Sequence, residues 1–414
     1  MPDARALPPS SFLRLPDEMI DHIAGCLPDL SMPRDEGDVE NEDLSLQSLA
    51  STCRRLRAIV VPLSWKNITL TQRDKRTPHI RKRLGQYGRF VQSIRVECFD
   101  EFVSFTNSKY AADRLAATVA TWLLLCPGLS EFTFRVLSGE NCEFGPLFTV
   151  LAPIAHRLKR LQLAAASWDL STFQAFNSVL QDAHLLETLT LDFDVSYQVE
   201  PHASYILPLP LSLERLRDLT YPRATCLRAW TADTARECRS LSFEYLDMDD
   251  WKLLQTCRGA SLTSLKVWDL SRRCNPAVPF DFPKLRHVRV LASLGLCDLS
   301  DLFAPTTPIE SLYLPRLDDA VMAAIQLFLA RQPRKTLKRL KFRYARRESG
   351  NLDDYLVART LEDRDESLEQ RLAAFIALDE RRLQEYSAWA DTHGIEFSAP
   401  AWIDVALARQ YSAA

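Results

Sequence analysis

Four carboxylates in the middle of the chain, Asp192, Asp194, Asp218 and Glu244, are the nearest thing in the sequence to an acid–base pair. Such chemistry needs two carboxyls held in unlike surroundings, so that one stays protonated while the other ionises. These four instead fall in three short segments of one recurring pattern, where they alternate with apolar residues, and are read as members of a binding face. The seven histidines are isolated, and neither an HExxH helix nor a GxSxG elbow occurs. Glycine is scarce at 11, and no GxGxxG or GxxxxGK[ST] loop is present to cradle a phosphate. Gly85-Gln86-Tyr87-Gly88, close to Arg81, Lys82, Arg83 and Arg89, has the spacing of an RNA-clamping loop. The surrounding sequence lacks that fold's pattern, so a solvated basic helix leading into a strand is expected there.

Composition narrows the classes further. The chain has 414 residues, 47% of them hydrophobic, which is enough for a sizeable core. Lys plus Arg number 51 against 54 Asp plus Glu, a net charge of −3, so no global attraction draws it to nucleic acid or an anionic membrane. The 10 cysteines show no CxxC pair and no zinc-ligand grouping with histidine, and are expected to be reduced, buried small side chains. Asp3, Arg5 and several prolines precede any apolar run, which argues against a secretory signal and for a reducing compartment, cytoplasmic or nuclear. The longest apolar run, Leu115 to Cys126, is too short to span a bilayer and predicts a buried helix.

The elements that must position any binding residues follow from periodicity. The pattern apolar-x-x-apolar-x-apolar starts at Val91, Leu129, Leu158, Leu186, Leu216, Cys238, Leu262, Leu285, Ile309 and Leu337. The mean spacing is about 27 residues, inside the roughly 20–29 of leucine-rich repeats. Helical stretches such as 173–180, 251–257 and 319–329 lie between these segments. Strand and helix at this period predict an α/β solenoid over residues 71–346, with about ten repeats. The asparagine that usually follows the last apolar position is absent, so the repeats are degenerate. After Arg347, Leu368, Leu372, Phe375 and Ile376 open an amphipathic helix that continues to Tyr386 and Trp389, and residues 347–414 are expected to form a helical cap over the last repeat.

Strand parity assigns the intervening residues to an outward face. The expected target-binding residues are Asp192, Asp218 and Glu244 in the middle, then Lys266, Trp268, Arg289, Tyr313, Arg339 and Lys341 towards the C-terminal end. Trp268 and Tyr313 beside Lys266 and Arg289 have the composition of a recognition hot spot. Arg289, Arg339, Lys341 and Arg343 have the chemistry to take a phosphate by charge-assisted hydrogen bonds.

The N-terminal part is different. Ile20, Ile23, Ala24 and Leu27 recur at helical spacing, with Pro16, Asp17 and Glu18 in the first turn. Residues 28–43 carry seven acidic side chains against Arg34 alone and read as a solvated loop. A second helix is predicted from Leu46, through Leu49, Ala50, Cys53 and Leu56, to Pro62, followed by Trp65. Leu15-Pro16-Asp17-Glu18-Met19-Ile20, the run Leu46 to Arg57, and Trp65 together resemble an F-box over residues 12–70, with Leu56 where that family often has tryptophan. The resemblance implies a helical module that docks on the adaptor subunit of an SCF-type cullin-RING ubiquitin ligase, through Leu15, Pro16, Ile20, Ile23, Leu27, Leu49, Cys53, Leu56 and Trp65. The degenerate repeats resemble those that often follow an F-box in fungal proteins. The expectation is a substrate-recognition adaptor that performs no bond chemistry, needs no cofactor, and has as partners the ligase's adaptor subunit and a target protein, with neither nucleic acid nor membrane. A leucine-rich-repeat scaffold without a ligase is the alternative.

Overall fold

The computed structural model describes residues 16–20, 53–71, 77–98, 105–136, 144–165, 170–193, 208–231, 233, 236–270, 278–293, 299–317, 319–345 and 381–399. The fold is α/β, and the chain divides into two compact units, residues 1–199 and 200–414.

In the first unit, a helical turn at 17–20 meets the helix Arg54–Ser64, and Arg55 Nε donates to Asp17 Oδ1 at 2.8 Å. That helix starts where Cys53 is extended and its Sγ accepts the Leu56 N–H at 3.5 Å. Pro62 falls in its last turns, and the chain leaves it directly into a strand. Five parallel strands follow in chain order: β1 (Asn67–Thr71), β2 (Ser93–Cys98), β3 (Glu131–Val136), β4 (Arg160–Ala165) and β5 (Thr188–Phe193). Helices Thr77–Tyr87, Phe105–Leu123, Gly145–Leu151 and Leu170–Gln181 alternate with them. Inward side chains such as Ile94, Phe132, Leu161 and Leu189 are fully enclosed. Phe134, Phe144, Phe148 and Phe176 continue that core as a chain of ring contacts 5.5 to 5.9 Å apart.

The second unit repeats the plan with β6 (Asp218–Arg223), β7 (Ser240–Leu246), β8 (Ser264–Leu270), β9 (His287–Ser293), β10 (Ser311–Leu317), β11 (Arg339–Ala345) and β12 (Glu396–Ser398), again parallel and in chain order. Helices Met248–Arg258 and Asp319–Arg331 lie among its connections. Trp251 is fully buried with Phe280, Phe282 and Phe303 around it at 5.6 to 6.1 Å.

Each of the ten sequence segments enters its strand at the third residue, and its first apolar residue closes the core just before, from Val91 to Leu337. The backbone repeats as faithfully. Within each unit, the N–H groups of the second and third residues both reach the carbonyl of the second residue in the preceding segment, as Lys159 and Arg160 do to Ser130, and Arg286 and His287 to Thr263. β1 obeys the same rule, since Gln92 and Ser93 both donate to Lys66. The segment Trp65 to Leu70 therefore behaves as a further copy, with Trp65 in its first position, Ile68 and Leu70 inward, and the strand array starting at Asn67 within the stretch expected to be a helical module.

The C-terminal part also differs in detail from a purely helical cap. The helix at 381–392 leads through Gly394, at φ +68°, into β12, which pairs with the edge strand β11. Covering that edge takes both elements. Leu368, Leu372, Phe375 and Ile376 lie outside the described residues.

Candidate binding face

Outward residues of successive strands line up because the strands are parallel and in register. In the second unit, one row across the sheet runs Asp218, Ser240, Ser264, His287, Ser311 and Arg339. The next runs Thr220, Ser242, Lys266, Arg289, Tyr313 and Lys341. All of these except Arg339 border an open groove of about 440 Å³ on this face.

The groove brings together five of the residues expected from sequence: Asp218, Lys266, Arg289, Tyr313 and Lys341. The Arg289 guanidinium lies over the Tyr313 ring, 4.4 Å from its centre, as a cation–π pair on neighbouring strands. Trp268 stands two residues further along β8 from Lys266 and is 49% exposed, so it stays on the surface. A register irregularity between Val267 and Asp269 separates Trp268 from the regular pairing with β9. Arg339 and Lys341 share one partner, Glu396 of β12, at 3.1 and 3.6 Å. Glu244 is half-buried on β7 and does not border the groove. The Arg343 side chain lies outside the described residues.

Asp192 belongs to the first unit, on β5. Arg135 of β3 reaches both Glu97 at 3.8 Å and Asp192 at 4.0 Å. It can span to Asp192 because the residue between them in register is the small Ala164.

Parity in the sequence finds the face, but not which of its members share a groove. The serines 240, 242, 264 and 311, with Thr220 and His287, add polar groups to the lining and carry no signal beyond their outward position. Glu396 was not foreseen, because its strand has none of the leucines that mark the others.

Gly88, from the basic GxxG stretch, is buried. An added Cβ there would come within 2.1 Å of the Leu125 carbonyl oxygen, so the glycine permits close packing of two backbones. Gly85 has open space around it.

The buried polar groups of the second unit lie apart from the groove. Asp247 caps the helix Met248–Arg258, its Oδ1 accepting from the Asp249 and Asp250 N–H groups, and Asp250 returns the bond to the Asp247 N–H. Arg223 pairs with both carboxylates, 3.0 Å from Asp250 Oδ2. Burial pushes the Asp250 carboxyl up to about 6, with Arg223 opposing. Arg258 is also buried, over the Trp230 ring at 4.8 Å, and donates to the Thr231 and Cys257 carbonyls. Burial raises the thiols of Cys126 and Cys238 to about 12 and Cys257 to about 11, and Cys226 rises as well. Protonated at neutral pH and enclosed, these thiols have no nucleophilic character. Among the described residues no group of three or more His, Cys, Asp or Glu could hold a metal ion, and no helix is long and apolar enough to cross a membrane.

At the N-terminal end, Pro16 is exposed, Met19 is 51% exposed, and Cys53 and Trp65 are half-buried, with Trp65 packed 5.1 Å from Tyr87. Ile20 and Leu56, at 0% and 2% exposure, are interior residues. Leu15, Ile23, Leu27 and Leu49 lie outside the described residues.

No family model matches the chain, and no curated protein matches it.

Proposed function

We propose that the chain is the substrate-recognition adaptor of an SCF-type cullin-RING ubiquitin ligase. Its F-box-like N-terminal module docks on the ligase's adaptor subunit. Its strand array, read as a solenoid of degenerate leucine-rich repeats, holds a target protein on the outward face. The chain itself makes and breaks no bonds, and its contribution to catalysis is proximity, which raises the effective concentration of target lysines near the ubiquitin-loaded enzyme.

The observation that carries the target-binding half is the groove of the second unit, where cations and aromatics from four adjacent strands share one accessible face. Support for the docking half comes from the motif order between Leu15 and Trp65, and from the packing of the turn at 17–20 against the helix Arg54–Ser64 with Met19 left outward. The enclosure of Ile20 and Leu56 favours the second reading, a leucine-rich-repeat scaffold without a ligase, because two residues assigned to docking are used in the interior.

Co-expression with a recombinant SCF adaptor subunit, followed by size-exclusion chromatography, separates the two. Co-elution that is lost in a Pro16→Ala/Met19→Glu double variant supports the ligase. Separate elution of the wild-type chain and the adaptor subunit leaves the scaffold.

A further inference from the structure

We infer that the strand-entry edge of the second unit is a docking surface for an acidic helix of a partner protein, whether or not the chain serves a ligase. The second residue of each hexad forms a ladder there, because its backbone N–H reaches the carbonyl of the same position on the strand before. From β6 to β11 the rungs are Arg217, Arg239, Thr263, Arg286, Glu310 and Lys338, and none of them lines the groove. Their side chains meet along the edge as well: Glu310 accepts from both Arg286 and Lys338, the latter at 3.0 Å, and Arg217 donates to Glu237 at 3.1 Å. The Lys338 hydrogen bond, with the Arg286 charge, holds the Glu310 carboxyl below its usual range, so it stays ionised. The other cations of the edge have no such partner. Arg239, on its rung, and Arg215, Lys284, Arg334 and Lys335, in the turns that lead into β6, β9 and β11, are exposed, with no carboxylate within ion-pair distance among the described residues. Asp281, in the turn of Lys284, accepts from Thr306 at 3.0 Å instead. Unneutralised cations gathered on one edge of a chain whose net charge is −3 make a local field that draws an anionic partner.

Strand spacing favours a helix over other anions. Rungs follow one another at about 4.8 Å, and an α-helix advances about 5.4 Å per turn. A helix laid across the rungs therefore offers roughly one side chain per strand, at i, i+3 or i+4, and i+7, over the roughly 24 Å from β6 to β11. An extended peptide turns a side chain to the same side only every ~6.8 Å, out of step with the rungs. A nucleic-acid backbone would set an unbroken line of phosphates against the ionised Glu310, whereas a helix can place an uncharged residue there. Leu211, 55% exposed and four residues before Arg215, adds an apolar contact of the kind a protein partner uses.

The test is fluorescence polarisation of the full chain with labelled peptides of about 16 residues, the length that spans ~24 Å as a helix. One is an alanine-based helix with glutamates along one face, the second has glutamine for each glutamate, and the third is the glutamate sequence broken by a central proline. Single-stranded RNA of random sequence and phosphatidylserine vesicles are the competing anions. The glutamate helix is expected to bind, more weakly as NaCl rises from about 0.05 to about 0.3 M, and about tenfold or more tightly than the other two peptides. Arg239→Glu/Lys284→Glu should weaken it about tenfold, the effect of several exposed charge interactions lost together. Arg81→Glu/Lys82→Glu, the same change of charge on the exposed face of the helix Thr77–Tyr87 in the first unit, should alter it by less than about twofold. Circular dichroism melts of both variants show that each is folded. No measurable binding of the glutamate helix, equal binding of the glutamine or proline-broken peptide, tighter binding of RNA or vesicles, or undiminished binding to folded Arg239→Glu/Lys284→Glu each overturns the inference.

Discussion

Replacing Asp250 by asparagine is expected to erase a pH dependence that the wild-type second unit carries. Asp250 is 1% exposed; its Oδ2 takes the Asp247 N–H at 3.2 Å and faces Arg223 at 3.0 Å, while its Oδ1 is buried without a partner. Burial therefore outweighs the Arg223 charge, and the carboxyl rises from 3.8 to about 6. The folded chain takes up this proton as pH falls through about 6, and the unfolded chain only near 3.8. The resulting stabilisation is fully present below the lower value and lost as pH rises through the upper one. At about 1.36 kcal/mol per pH unit, the gap corresponds to about 3 kcal/mol. The side-chain amide of the Asp250→Asn variant binds no proton, so the stability difference between wild type and variant should change by about that amount between roughly pH 3.5 and pH 7, in favour of wild type on the acid side. Burial also raises the neighbouring Asp247 carboxyl, but the Asp250 and Asp249 N–H groups and Arg223 more than offset it and hold it below its usual range. Asp247 is present in both proteins, so its opposite slope largely cancels in the difference. Urea unfolding followed by tryptophan fluorescence across this pH range measures it. Parallel profiles for the two proteins would refute the reasoning, and a change of opposite sign would mean that Arg223, not burial, governs the carboxyl.

Trp251→Ala should cost about 3–5 kcal/mol, the range for emptying a large aromatic site, because its ring is enclosed by Phe280, Phe282 and Phe303; a urea midpoint close to wild type would contradict that packing. Gly88→Ala should destabilise the first unit by about 1–3 kcal/mol through overpacking and so lower its melting temperature, because its Cβ would meet the Leu125 carbonyl oxygen at 2.1 Å. An unshifted melt by circular dichroism would show that the two backbones are not so close. Trp268→Ala, at a site 49% exposed, should change stability in urea unfolding by less than about 0.5 kcal/mol. A destabilised variant would place the indole in the core.

How much of this was legible depends on which residues carried the signal. The hexads were legible because burial on one side of a strand forces period-2 alternation, and each of the ten hexads coincides with a strand that enters at its third residue. The copy Trp65 to Leu70 is masked in the sequence because its first position holds tryptophan, which fits the end of a helical module equally well. β12 is masked too, because Glu396 to Ser398 is a short edge element whose pairing, not whose composition, makes it a strand. For the site, parity correctly turned Lys266, Trp268, Arg289, Tyr313 and Lys341 outward. It could not show that Arg289 would lie over Tyr313, or that Glu396 would gather Arg339 and Lys341, because both depend on register between segments far apart in sequence. Nor could helical spacing alone divide interior from exterior in the N-terminal module, where Ile20 and Leu56 turn inward and Met19 outward.

Hydrogen–deuterium exchange of the full chain, with and without a recombinant SCF adaptor subunit, tests the central claim most directly. The account predicts slowed exchange confined to residues 12–70, with the β6–β11 face unchanged and left open for a target. Unaltered exchange in residues 12–70, or protection appearing on the strands of the second unit instead, would contradict it.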